Sequence, residues 1–285
     1  MSSPCPQLAI DCAQPLSHGF EFARCSIAPR AQILDTNAMR GTRSRSATRA
    51  RKMPALALGT LVLYPDSREV GWLLPWILGG EPTNDVYQPC ERLSQRVIGI
   101  DRVDRIDVFD CCLVRRATFD AGLGRALRLT LDVVGGIDTT ELESFPDVEY
   151  STGHPFRFND CTFSLLGEIC PLIDFALTID NPLIVGPFCS NFPRFSPSDR
   201  TVTLSCQSPV GSYGALPSAL PLAGASTSIA FLRGSDQLIF DLPNWQPPVN
   251  GPSTPARQTP LMQWNGVARA ADSGPDLVVT LSQIR

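Results

Sequence analysis

The chain has 285 residues, 43% of them hydrophobic, and a formal net charge of −4. That is ample material for a buried core in one large domain or two smaller ones, and it excludes a chain too poor in apolar residues to fold alone. The charge is uneven: residues 1–60 hold eight basic against three acidic side chains, +5, which leaves −9 on the rest.

Ten cysteines are spread along the chain, and the first 30 residues show no basic region followed by a continuous apolar core, because Pro4, Pro6, Asp11, Pro15 and Glu21 interrupt it. A cytosolic origin with mainly reduced thiols is therefore expected. The longest apolar uncharged run, Val70 to Gly80, has 11 residues and contains Pro75, too short to span a bilayer, so no membrane binding is expected.

In chain order, residues 1–39 contain Pro and Cys with weak periodicity and are expected to form an extended arm with one strand around Cys25 to Leu34. The run from Arg40 to Lys52 follows, with six basic and no acidic residues. Such a segment cannot bury itself and is expected to be a solvated or interface loop. Residues 1–53 are thus read as arm and basic loop, and 54–285 as a β domain.

Ala55 to Tyr64 reads as a strand. Asp66 or Ser67 with Glu69 marks a helix start and Gly79-Gly80 its end, with Val70, Leu73, Leu74 and Ile77 on one side and Pro75 expected to kink or split it. A loop near Glu81 to Pro89 leads to strands at about 95–105, 107–119 and 125–135, joined by short turns such as Ala121-Gly-Leu-Gly124. Leu127, Leu129, Leu131 and Val133 alternate with Arg128, Thr130 and Asp132 in the last of these.

Phe156 to Leu166 and Ile169 to Asp180 read as a hairpin turning at Gly167-Glu168. Its second half carries the clearest alternation in the chain, with Phe175, Leu177 and Ile179 on one face and Asp174, Ala176, Thr178 and Asp180 on the other, ended by Asn181-Pro182. Val202, Leu204 and Cys206 repeat the pattern. Pro- and Ala-rich residues 213–225 are read as a short helix, Ser228 to Leu232 as pairing with Gln237 to Leu242, and the last strands as lying near Leu261 to Ala270 and Leu277 to Ser282.

Chemistry is sparse. His18 and His154 are the only histidines and no sequence neighbour orients either as a general base, so both are read as surface loop residues. The cysteines offer no C-x-x-C pair, and Cys111-Cys112 lies on a strand whose successive residues face opposite ways. Asp101, Asp104, Asp107 and Asp110 are interleaved with Arg102 and Arg105 and read as a charge-paired segment. Gly122-Leu-Gly124 opens no helix and is no dinucleotide fingerprint. No catalytic residue, metal ligand or cofactor is assigned.

Two features remain for contacts. Arg40, Arg43, Arg45, Arg49, Arg51 and Lys52 could neutralise phosphates or meet acidic protein, and they lack the interleaved aromatics of a single-strand platform. Trp72 and Trp76 share a helix face, which suits core packing or a subunit contact. These eight residues form the candidate subunit-interface set.

Several segments in order resemble the major tail tube proteins of long-tailed bacteriophages: Arg40 to Ser46, Gly71-Trp-Leu-Leu-Pro-Trp-Ile-Leu-Gly-Gly80, Arg115-Arg-Ala-Thr-Phe119, Leu127 to Gly135, Asp174 to Asn181 and Asp199 to Ser205. The resemblance implies a mainly β fold, a β-sandwich or barrel of the tail tube type with one flanking α-helix and an extended N-terminal arm. It implies a structural virion protein, not an enzyme, made in the bacterial host cytoplasm. Hexameric rings of the chain would stack into a tube, joined by other tail proteins, and conduct viral genomic DNA without sequence-specific binding. The Cys- and Pro-rich arm, and Pro217 and Pro221 where relatives carry a helix, depart from the pattern. Competing readings are another tail component of related fold (a tail terminator, baseplate hub or minor tail protein) and a β-sandwich carbohydrate-binding or hydrolytic module.

Overall fold

The structure is a computed structural model that describes residues 6–30, 33–34, 51–52, 55–137, 142, 144–185, 195–209, 224–246, 261–270 and 274–282. The alternating segments build its first layer. Six antiparallel strands lie side by side in the order Leu56–Leu63, Arg128–Ile137, Ile106–Gly122, Asp174–Asp180, Thr201–Pro209 and Leu261–Ala268. On their inner face Leu61, Leu129, Leu131, Phe119, Leu177, Ile179, Val202 and Leu204 are completely buried.

At the far edge Ala268 and Val267 pair with Trp245 and Gln246, which carries the ladder round into a second layer. There Asp236–Gln246 lies between Ala225–Arg233 and Val278–Ser282, with Cys161–Leu165 and Glu168–Cys170 beyond. The result is one hydrogen-bonded sheet curled into a barrel. Its layers meet through aromatic pairs, Phe119 with Phe240 at 4.9 Å between centroids and Phe175 with Phe231 at 5.9 Å. Among the described residues the protein is mainly β with one α-helix, as expected of the fold class.

Segment 7–30, expected as an arm, is woven into this sheet. Gln7–Asp11 pairs with Arg96–Asp101, and Phe22–Cys25 and Ala28–Arg30 pair with Leu56–Leu63. Leu8, Ile10, Phe20 and Ile27 supply buried side chains, and so much apolar surface gains more by docking than by staying extended in water. Residues 35–50, which hold most of the basic run, and 210–223, which hold most of the segment 213–225 read as a short helix, lie outside the described residues, while Ala225 already belongs to the strand Ala225–Arg233. Arg51–Lys52 pairs antiparallel with Ile33–Leu34.

The helix Ser67–Leu78 has the expected caps. Asp66 accepts from the Glu69 backbone N–H at 2.8 Å while the Glu69 carboxylate accepts from the Asp66 N–H, and Gly79 closes the helix with φ 91°, a left-handed conformation that glycine adopts without penalty. Of the two outcomes expected of Pro75, a kink or a split, the split does not occur: the helix runs through it for 12 residues. Packing holds it together: Val70, Leu73, Leu74, Trp76, Ile77 and Leu78 are all buried, and Asn181 Nδ2 donates to the Ile77 carbonyl at 3.1 Å. Ser67 Oγ donates to Asp236 at 2.8 Å, which ties the helix start to the second layer.

The 17-residue strand Ile106–Gly122 serves two neighbourhoods. Register shifts between Asp110 and Leu113 and between Val114 and Arg116, with Cys111 at φ 51°, bend it as bulges do. Its first part pairs with Arg96–Asp101 and its last with Asp174–Asp180. Two local expectations change: the segment from Phe156 begins with a 3-10 turn at Phe158–Asp160, and the hairpin partner of Cys161–Leu165 ends at Cys170, before Asp174–Asp180 starts. Pro171 supplies no N–H to continue that ladder.

Candidate functional site

Three surfaces carry the chemistry of the described residues. The first is the outer face of the six-stranded layer. Residues that alternate with the core side chains place a threonine row across four strands, with Thr118 opposite both Thr130 and Thr178, and Thr178 opposite Thr203. Thr118 and Thr178 hydrogen-bond at 3.2 Å. Beside this row Arg116 donates to Asp180 at 2.6 Å, Arg128 to Asp120 at 2.9 Å, and Thr60 to Asp132 at 2.9 Å, while Arg115 lies 3.8 Å from Asp132. Each of these three arginines therefore has a carboxylate in reach on its own face. Such exposed pairs add little stability, but they leave this face with few free cations for an anion to find.

The second surface is a groove of about 710 Å³ beside the helix, lined by Cys12, Arg68, Trp72, Pro75, Asp85 and Arg96 among others. The two tryptophans divide here. Trp76 is fully buried in the protomer, its Nε1 donating to the Cys112 carbonyl at 2.8 Å beside the bulge, so it presents no surface to a neighbour and leaves the candidate set. Trp72 is partly buried and lines the groove, its ring 3.8 Å from that of His18. Of the six candidate cations, Arg40, Arg43, Arg45 and Arg49 lie outside the described residues, and only the backbone of Arg51 and Lys52 is described.

His18, expected as a loop histidine without an orienting partner, has one. Its Nδ1 lies 3.1 Å from Asp11 Oδ2, and Ser17 Oγ donates to the same carboxylate oxygen at 2.8 Å. Burial pushes the Asp11 carboxyl up, but the hydrogen bonds from His18 and Ser17 together outweigh it and hold the group below the ordinary value. Serine, histidine and aspartate meet, yet not as a nucleophilic relay: the serine and the aspartate both address Nδ1, and the serine proton goes to the carboxylate. The trio anchors the strand Gln7–Asp11 against the helix.

The third feature is the helix start. Burial, reinforced by the Asp66 and Glu21 charges and opposed by hydrogen bonds from the Asp66 and Glu21 backbone, raises the Glu69 carboxyl to about 7. The folded state thus holds this proton more tightly than the unfolded chain. Its contribution to stability is full below pH about 4.5 and is lost as pH rises to about 7, at about 1.4 kcal/mol per pKa unit before solvent screening. Glu69→Gln, which keeps an acceptor for the cap, is expected to flatten this part of a urea-unfolding profile against pH. An unchanged slope in the variant would show that another group is responsible.

Among the described residues no three His, Cys, Asp or Glu side chains converge on a metal-sized site. Burial pushes the Cys112 thiol far up and those of Cys161 and Cys206 up to about 12, so these sulfurs are poor nucleophiles where they sit.

A curled, mainly antiparallel sheet with a polar, internally neutralised outer face and a helix packed against it defines a structural framework. The model of the phage tail tube protein family matches residues 12–280, and the chain belongs to that family. Comparison with curated proteins gives no match. The family is one of structural virion components of the phage tail, which assemble with themselves and with other tail proteins.

The groove and its buried Arg96 were not found by sequence reasoning. Arg96 sits in the apparently ordinary strand segment Arg96-Val-Ile-Gly-Ile-Asp101, and its one local signal is a charge at the start of an otherwise apolar run.

Proposed function

We propose that six copies of this chain close into a ring, that rings stack into the tail tube, and that viral DNA passes through the lumen without being read. The observation that carries this is the family match over residues 12–280. The self-neutralised face supports the choice of lining: each phosphate a channel neutralises adds affinity, so a wall whose arginines are held by Asp120, Asp132 and Asp180 lets the genome slide. Sheet edges of neighbouring copies would pair around the ring, since unpaired edges otherwise invite uncontrolled association.

The basic loop Arg40 to Lys52 acts in this reading as an assembly element that meets acidic surface of adjacent copies and does not grip DNA. Negative-stain microscopy of the purified protein is expected to show six-fold rings and tubes, and a protein that stays monomeric under assembly conditions would defeat the proposal. Replacing Arg43, Arg45, Arg49 and Arg51 together with Gln is expected to impair tube formation or its resistance to salt. Normal tubes that lose DNA retention would transfer the loop to nucleic-acid binding.

A further inference from the structure

The groove beside the helix contains a cation without a counter-charge. Arg96 is only 7% exposed, and among the described residues the one hydrogen bond of its side chain is from Nη1 to Cys12 Sγ at 2.8 Å, with no carboxylate within ion-pair range. A guanidinium has five N–H donors, and those of Arg96 that Cys12 does not take open onto the groove, where an incoming acid can replace solvent as their acceptor. At the rim Arg68 is 59% exposed on its side chain and is engaged only loosely, 3.8 Å from Glu149. The Trp72 ring lies between the two arginines in sequence and lines the same groove, an aromatic of the kind enriched in interface cores.

We propose that this groove receives a carboxylate-bearing segment from a second copy of the chain, whose acid completes Arg96 and Arg68 while its flank packs on Trp72. The proposal rests on the self-assembly reading above and names one contact within it. Charge decides the occupant. Glu81 and Asp85 also line the groove and repel a polyanion, which disfavours a run of phosphates but tolerates a single carboxylate carried beside basic residues. Copies of this chain, with 28 acidic and 24 basic residues, offer both kinds of side chain.

Cys12 is exposed in the groove and reports directly on its occupancy. Maleimide labelling followed by peptide mapping is expected to show Cys12 modified in the unassembled full-length protein and at least about tenfold more slowly in assembled tubes. Arg96→Gln, which keeps a donor for Cys12, and Arg68→Glu, which adds an acid favourable to the helix N-terminus, are each expected to raise the protein concentration needed for assembly at least about tenfold, with the melting temperature of the unassembled protein as the folding control. Should Arg96→Gln fail to fold, Arg68→Glu decides. Cys12 equally reactive in tubes, or Arg68→Glu assembling at the wild-type threshold, would overturn the contact while leaving the tube intact. Protection of Cys12 in the unassembled protein by a single-stranded oligonucleotide would assign the groove to phosphate and overturn it as well. A wild-type protein that forms no rings would remove the assembly reading and this contact with it.

Discussion

Replacing Trp76 by alanine is expected to lower the unfolding free energy by about 3–5 kcal/mol, among the largest effects available to a single substitution in this protein. The ring is fully buried within the main core, so truncation leaves a cavity that its packed neighbours can close only in part. The change also strips the Cys112 carbonyl of its donor at the bulge of the longest strand, a further cost of about 1 kcal/mol. Urea unfolding of the unassembled protein measures the sum. Trp72→Ala, which empties only a groove wall, is expected to cost clearly less, and equal losses at the two positions would contradict the division made here between core and surface tryptophan.

Gly59→Val is expected to destabilise the protein by about 1–3 kcal/mol, by a different route. A Cβ at position 59 would lie 2.4 Å from the Ile27 Cα and 2.5 Å from its nitrogen, so the obstacle is backbone and cannot rotate away. The strand Leu56–Leu63 would have to release the segment that crosses it, breaking the bonds between Ser26 N and the Thr60 carbonyl and between Thr60 N and Ser26 Oγ, each 2.9 Å. Hydrogen exchange of the Ser26 and Thr60 amides is the direct readout. Unchanged protection at both would show that the crossing tolerates a side chain.

What was legible in the sequence follows from how locally each feature is written. A half-buried strand records its two faces in its own alternation, which is why Asp174–Asp180, Arg128–Ile137 and Thr201–Pro209 read directly. The helix start is a three-residue exchange between Asp66 and Glu69, and the turn closed by Arg233 and Asp236 is equally local. Of the short strands near the start of the chain, the stretch around Cys25 to Leu34 was read as one and holds Ala28–Arg30 and Ile33–Leu34, whereas Gln7–Asp11 and Phe22–Cys25 were illegible because their partners lie far along the chain: Ala9 pairs with Gly99 and Arg24 with Val62. Nothing near Asp110 announces that the ladder will skip a residue there, since a bulge is set by the strands on either side. The acid that holds His18 is seven residues away across a turn, and Arg96 became noteworthy only once burial around it was known.

The link between Ser67 and Asp236 also fixes when in the life of the chain the protomer can be finished. The helix is made early by the ribosome, but the layer that covers its start needs residues 225–246, and the short strand Val86–Tyr87 waits for Val278–Ser282. Pairings of such separation close slowly, because the loop entropy is spent before the contacts form. A nascent chain therefore holds an incomplete barrel until Val278–Ser282 has emerged, and its apolar interior needs shielding over that interval. Self-assembly is thus deferred until the strand Val278–Ser282 has been made and has found its place beside Asp236–Gln246.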